Sequence, residues 1–401
     1  MTSAESIHPD MVIRARVKLL TSDKPTLRDK VWAYRILARV ETGYLPRLVG
    51  ALVLWGYQAP EGPYRLTVFD EAVAAARLVD KTEPKRGELL LQALDARQRC
   101  LYGSGRRTEG LAVREEMASL GRPQPLAAAL AEEGRHDESA KIHDRLAEGG
   151  AGTPSDWALI ARSAELEACG RLATAAEVAS TLASRTRGRL SGTGAPLARL
   201  CWELTHLSRL LDVQGESDRR REVDRETVRR LQELAATGER RSWSNILSWW
   251  TVLLGVSGRA DEPVRPGRPS PAFGEDVLQW SPDVRRAYLD SRFELAAGLA
   301  DLTPRAEADP RKHLHALVTT QRRLTIRETF YWTNRTYRIA EPLRPVFDRS
   351  VDLTRRLAAS DPARGTALLT RALTDRSGFH LAAREYAPAL ADFREAVDLR
   401  G

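Results

Sequence analysis

Long stretches of this chain place apolar residues three or four apart and then break at short clusters of glycine and proline. Few folds accept that grammar. The run Leu89, Leu90, Ala93, Leu94, Arg97 and Leu101 lays one stripe along a helix, the spacing that lets a single face bury. Breakers follow at Gly103-Ser104-Gly105, Gly121-Arg122-Pro123, Gly149 to Pro154, Gly188 to Pro196 and Asp361-Pro362. The segments between them are one or two helices long, which predicts antiparallel helix pairs joined by tight turns. Strand signals are weak almost everywhere. In Leu324 to Ile339 the β-branched and aromatic residues carry β propensity, yet a lone hairpin would lack a sheet partner, so this stretch also reads as helix. Ser257 to Glu275 differs: Pro263, Pro266, Pro269 and Pro271 with three glycines suggest an exposed loop or linker. The expected organisation is a helical block over 1–256, a linker over 257–275 and a second helical block over 276–401.

The pattern repeats internally. Phe69-Asp70-Glu71-Ala72-Val73 is followed by Arg77, Phe347-Asp348-Arg349-Ser350-Val351 by Arg355, and Phe393-Arg394-Glu395-Ala396-Val397 by Arg400. A large aromatic with a small residue three later suits a second helix that nests against its own partner and the next pair. Turns repeat as well. Glu133-Gly134-Arg135-His136 and Cys169-Gly170-Arg171-Leu172 each precede small residues, and Gly105-Arg106-Arg107-Thr108-Glu109-Gly110 fits more loosely. A glycine there suits the left-handed position that closes a helix, and a small residue five later permits close crossing. These residues resemble the tetratricopeptide (TPR) family, most clearly at Tyr386, Ala389, Phe393 and Ala396. The resemblance covers Leu89 to Arg185 and Asp361 to Arg400, about a third of the chain. It departs from the family at Arg384, which replaces the turn glycine, and at Ser163 and Ser377, where a small glycine is usual. Turn spacings of 29 (Gly105 to Gly134) and 36 (Gly134 to Gly170) bracket the family's period of about 34. The resemblance implies an all-α, TPR-like α-α superhelix of irregular repeat length, whose work is binding.

Composition narrows the chemistry. The formal net charge is +8, and the basic excess is nearly all arginine in an alanine-rich chain, as a GC-rich bacterial genome would encode. Many arginines alternate with acids, as from Arg219 to Glu226, which reads as a solvated helix face. Three cysteines, Cys100, Cys169 and Cys201, are too few and too scattered for a disulfide framework or a zinc site. No cationic segment followed by an apolar run opens the chain, and the most apolar runs, Leu48 to Tyr57 and Ile246 to Val256, fall short of the roughly 20 residues that span a bilayer. A soluble cytoplasmic protein without membrane contact is expected. No phosphate loop, His-Glu-x-x-His or Gly-x-Ser-x-Gly motif occurs. His313 and His315 would point about 200° apart on a helix. Neither catalysis, a cofactor nor a metal is expected.

Binding features are stronger. The nine tryptophans include Trp243, Trp249 and Trp250, and a second aromatic cluster holds Phe330, Tyr331, Trp332 and Tyr337. On a helix Trp243, Ile246, Leu247 and Trp250 share a face, while Trp249 points about 100° away and is expected at its edge. Trp243, Trp249, Trp250, Tyr331, Trp332 and Arg335, with Arg240 and Arg241 nearby, are therefore candidate partner-binding residues. A carboxylate clamp of the kind found in some TPR domains is not expected, because asparagine occurs only at Asn245 and Asn334 and lysine is scarce. No polar capping helix follows the last helix before Gly401, which marks Leu390, Phe393 and Val397 as an interface for a partner or a homodimer unless earlier helices fold back over them. The expected function is a protein- or peptide-binding scaffold or regulator. Nucleic-acid binding by an arginine-lined array is the alternative, and an α-helical enzyme the more distant one.

Overall fold

A computed structural model describes residues 7–20, 24–148, 155–190, 195–241, 245–263 and 267–401. Among them are eighteen α-helices, two short 3-10 turns and no strand. The chain divides into two compact units: Met1–Ala129 with Ser281–Asp283, and Leu130–Trp280 with Val284–Gly401. The first unit contains α1 (Pro9–Leu20), α2 (Leu27–Val40), α3 (Leu45–Gln58), α4 (Pro63–Leu78), α5 (Arg86–Gly103) and α6 (Arg107–Ser119). The second contains α8 (His136–Glu148), α9 (Asp156–Ala168), α10 (Leu172–Arg189), α11 (Leu197–Gln214), α12 (Ser217–Thr237) and α13 (Ile246–Gly258), then α15 (Pro310–Thr333), α16 (Ala340–Ser360), α17 (Pro362–Ala382) and α18 (Tyr386–Asp398). Two helices, α7 (Gln124–Glu132) and α14 (Pro282–Ala308), have residues in both units. Most helices pack on their neighbours in the chain, so each unit is built of antiparallel hairpins.

One turn recurs between helices six times among the described residues. Gly105, Gly121, Gly134, Gly170, Gly215 and Arg384 all have a left-handed backbone, with φ between 63° and 89°. In each, the turn residue's N–H bonds the carbonyl three back, and the next N–H bonds the carbonyl five before it: Gly170 to Glu167 and Arg171 to Leu166, Arg384 to Leu381 and Glu385 to His380. These two bonds satisfy carbonyls that a helix end otherwise leaves open. Five residues on, Gly110, Ser139, Ala175 and Ala389 are buried at the crossing of the two helices. A Cβ at Gly110 would lie 2.6 Å from the Tyr102 ring. Ser163 and Ser377 find a role there, each donating its hydroxyl to the carbonyl of the crossing alanine, Ala175 at 3.0 Å and Ala389 at 2.7 Å.

The repeated aromatics are core. Phe69, Phe347 and Phe393 are each at most 1% exposed. The arginines that follow them reach across to other helices. Arg77 on α4 pairs with Glu116 on α6 at 2.8 Å, and Arg355 on α16 pairs with Glu395 on α18 at 2.7 Å. Arg35 to Glu71 and Arg187 to Glu226 repeat the motif between α2 and α4 and between α10 and α12. Each such half-exposed pair contributes about 0.2–1 kcal/mol and ties an arginine into the fold, while the excess of basic over acidic residues stays at +8.

Within the second unit α13 is the central helix, packed by α11, α15 and α17. The unit then closes on itself, because α18 packs on α12. Arg220 donates to the Gly401 carbonyl at 3.3 Å, and Arg400 reaches Ser208 and Thr374 at 3.2 Å. Of the two readings of this end, the structure has an earlier helix folded back over it. Phe393 is buried, Leu390 and Val397 are half-buried, and α12 supplies the cap.

The expected linker 257–275 is also different from its reading. The division between the units falls at Ala129/Leu130, and the described part of 257–275 lies inside the second unit. Arg322 on α15 holds this segment through Asp261, and Arg327 holds it through Glu262 at 2.8 Å. Ala272 and Phe273 are buried against the fold, and Arg259 bonds the Phe273 carbonyl at 2.8 Å. Proline stops helix formation there without stopping burial. The stretch 324–339 is helical to Thr333 and then turns.

Candidate partner-binding site

The second aromatic cluster lies where α15 ends. Asn334 donates its side-chain amide to the Phe330 carbonyl at 2.7 Å, and the N–H groups of Arg335 and Thr336 both bond Trp332 O. Those bonds finish the helix and direct residues 334–338 outward. Phe330 itself faces inward, packed on Trp280 at 5.2 Å and Tyr288 at 6.0 Å between ring centroids. Tyr331 and Trp332 are half-buried, and their rings meet edge to face at 5.4 Å.

Tyr331 lies between two guanidiniums. Arg335 stands 3.7 Å from the ring centroid and Arg292, on α14, stands 3.8 Å away. Arg292 also lies 4.1 Å from the Phe293 ring, which is 63% exposed. Its own carboxylate neighbour is Glu328, at 3.9 Å. Arg335 and Arg338 are exposed, and among the described residues neither has a carboxylate within 4.0 Å. Tyr337 is 85% exposed beside them. A stacked guanidinium keeps its edge N–H groups available, while its face rests on the ring. The arrangement therefore offers a carboxylate-binding edge next to apolar rings.

The α13 tryptophans are not part of it. Trp249 is 1% and Trp250 2% exposed. Trp249 packs edge-on against Trp157 at 4.6 Å and under Arg199 at 3.9 Å, and Arg199 is in turn paired with Glu203 and Asp156. Trp250 meets Phe347 and Phe379 at 6.1 and 6.4 Å, and Gly378 leaves room for its indole. Trp243 lies outside the described residues. The 100° offset placed Trp249 at an edge only if α13 had one polar face. It has none, and a helix that is apolar all round is buried all round. Of the neighbouring arginines, Arg240 is exposed and Arg241 bonds the Leu190 carbonyl at 3.2 Å. Arg292 and Phe293 were missed, because 39 residues separate Arg292 from Tyr331 and nothing in its local sequence singles it out.

The interior also holds ionisable groups. His206 Nε2 lies 3.4 Å from Ser163 Oγ, and Nδ1 lies 3.3 Å from Arg209, which is bidentate to Glu167 at 2.6 Å. With the Ser163 proton committed to Ala175 O, this is a relay of structural hydrogen bonds. Burial, then the Arg209 charge, depress His206 to about 3. Burial raises Glu203 to about 7 against the pull of Arg199, and raises Glu275 to about 8. Among the described residues no three His, Cys, Asp or Glu side chains are placed to hold a metal ion, and no helix is long and apolar enough to cross a membrane. His313 and His315 stand on different sides of α15, one half-buried and the other exposed. No protein-family model matches this chain, and no curated protein matches it.

Proposed function

We propose that this chain is a cytoplasmic, TPR-like scaffold that binds a protein or peptide partner at Tyr331, Trp332 and Arg335, aided by Arg292 and Phe293. The observation that carries the reading is Tyr331, with two guanidiniums over its ring, beside exposed Arg335 and Arg338, which have no carboxylate within 4.0 Å among the described residues. Aromatic and arginine side chains supply most of the affinity at protein interfaces, and this edge suits a partner segment carrying a carboxylate next to an apolar residue. The recurring left-handed turns and the buried small residues five positions later support units of TPR type. Many arginines are paired with acids on neighbouring helices, which leaves fewer of them for the nucleic-acid alternative.

The test is affinity capture from the native cell with wild-type protein and the Trp332→Ala, Arg335→Ala and Trp249→Ala variants. A partner retained by wild type and lost with Trp332→Ala and Arg335→Ala, at unchanged melting temperature, supports the reading. Recovery of the same partners by both surface variants at wild-type yield overturns it.

A further inference from the structure

Helix α1 carries two apolar stripes, and the fold uses one. Val12, Ala15 and Leu19 pack on Ala33, Ile36 and Leu37 of α2. Ile13, Val17 and Leu20 repeat at i, i+4 and i+7 on another face and are 59%, 54% and 83% exposed. Trp32 on α2, 38% exposed, stands beside them. Together with Arg14, Lys18 and Asp29, residues Ile13, Val17 and Trp32 line a cleft of about 430 Å³. An apolar stripe at helical spacing beside an indole has the form of a groove that takes a second helix.

Its rim is basic. On the helical wheel Arg16 borders the stripe on one side and Arg14 and Lys18 on the other, and Arg28 lies one turn before Trp32 on α2. Arg14 and Arg28 are exposed and have no carboxylate within 4.0 Å among the described residues. Lys18 is held by Asp29 at 3.2 Å, and Arg16 lies 3.9 Å from Glu41. Asp29 is further occupied by the Thr26 hydroxyl at 2.8 Å, and Asp10 lies at the start of α1, beside His8. Among the described residues, the charge at the rim that has no opposite partner is positive.

We propose that this cleft docks an amphipathic helix of a protein partner whose apolar stripe is edged by Asp or Glu. Charge complementarity selects that occupant. A second copy joined by two-fold symmetry would bring the same basic rim against itself. A lipid surface would have to desolvate the Asp29–Lys18 pair, whereas a helix brings carboxylates to Arg14 and Arg28 and one large side chain to the cleft. The site is independent of the aromatic–arginine cluster, and acidic recognition here does not rest on it.

The probes are two labelled synthetic amphipathic peptides of about 18 residues, one with leucines at i, i+3, i+4 and i+7 and glutamates flanking, the other with lysines replacing the glutamates. Fluorescence anisotropy with the full chain should show saturable binding of the acidic peptide, and binding of the lysine peptide at least about tenfold weaker. Val17→Glu should abolish acidic-peptide binding, and Arg14→Glu with Arg28→Glu should reverse the preference, both at wild-type helicity by circular dichroism. Arg335→Ala should change nothing. Equal binding of both peptides, no saturable binding, or loss of binding in Arg335→Ala each overturns the proposal. So does Val17-dependent dimerisation by sedimentation, or Val17-dependent binding to equimolar phosphatidylglycerol–phosphatidylcholine vesicles with no binding of the acidic peptide.

Discussion

Two parts of the second unit are rich in aromatics and sit in opposite surroundings. From Ile246 to Gly258 there is no charged residue, and Trp249 and Trp250 disappear into the core. From Tyr331 to Arg338 aromatic residues alternate with Asn334, Arg335 and Arg338, and the rings stay half-buried or exposed. The tryptophans themselves do not distinguish the two. What does is whether the helix around them offers a polar face to water. On α13 every direction meets another helix, so indoles of any orientation are packing material. At the end of α15 the backbone turns away, and arginines stack on Tyr331 instead of carbon.

The contrast can be broken most forcefully by truncation. Trp280→Ala, which removes a ring buried among Phe273, Tyr288 and Phe330, should lower the unfolding free energy by about 3–5 kcal/mol. Phe293→Ala at the surface cluster should cost under about 0.5 kcal/mol. Urea titration checks both, and similar losses would erase the distinction between interior and cluster.

A smaller effect sharpens it through pH. His206 sits on α11, the helix packed against α13, and burial holds its folded-state value near 3, below the ordinary 6.5. The unfolded chain therefore takes up a proton below pH 6.5 that the folded chain refuses. This contribution to stability is intact above that pH and is lost progressively as pH falls toward 3. Between pH 7.5 and 5 the wild type should lose about 2 kcal/mol more than His206→Gln. Equal losses in denaturation at the two pH values would mean that water reaches this interior.

The smallest effect concerns the scaffold on which both regions stand. Arg384 holds a backbone conformation that the equivalent glycines adopt freely. Arg384→Gly should raise stability by about 0.5–1 kcal/mol, and Gly170→Arg should lower it by at least as much. Thermal melts of the two variants check the sign.

The hairpin grammar was legible because its constraints are local. A left-handed turn admits few residues besides glycine, so Gly105, Gly134 and Gly170 mark their turns in the sequence, and the fit of Ser163 and Ser377 beside the crossing alanines is a local matter too. The cap on α18 was not legible, since Arg220 and Gly401 meet across 181 residues. Prolines made 257–275 look like a linker, although the anchors that bury it, Arg322 and Arg327, lie far along the chain. The site was half legible. Tyr331, Trp332 and Arg335 are near neighbours in sequence and stay together in the structure, whereas Arg292 comes from another helix. For Trp249 the sequence does carry a signal, the absence of any charge along α13.

The most direct measurement is the unfolding free energy of Trp250→Ala against Trp332→Ala, by urea titration under one buffer condition. The expected result is a loss of about 3–5 kcal/mol for Trp250→Ala and less than about 1 kcal/mol for Trp332→Ala. If Trp332→Ala costs as much as Trp250→Ala, both aromatic clusters are core and the proposed partner face does not exist.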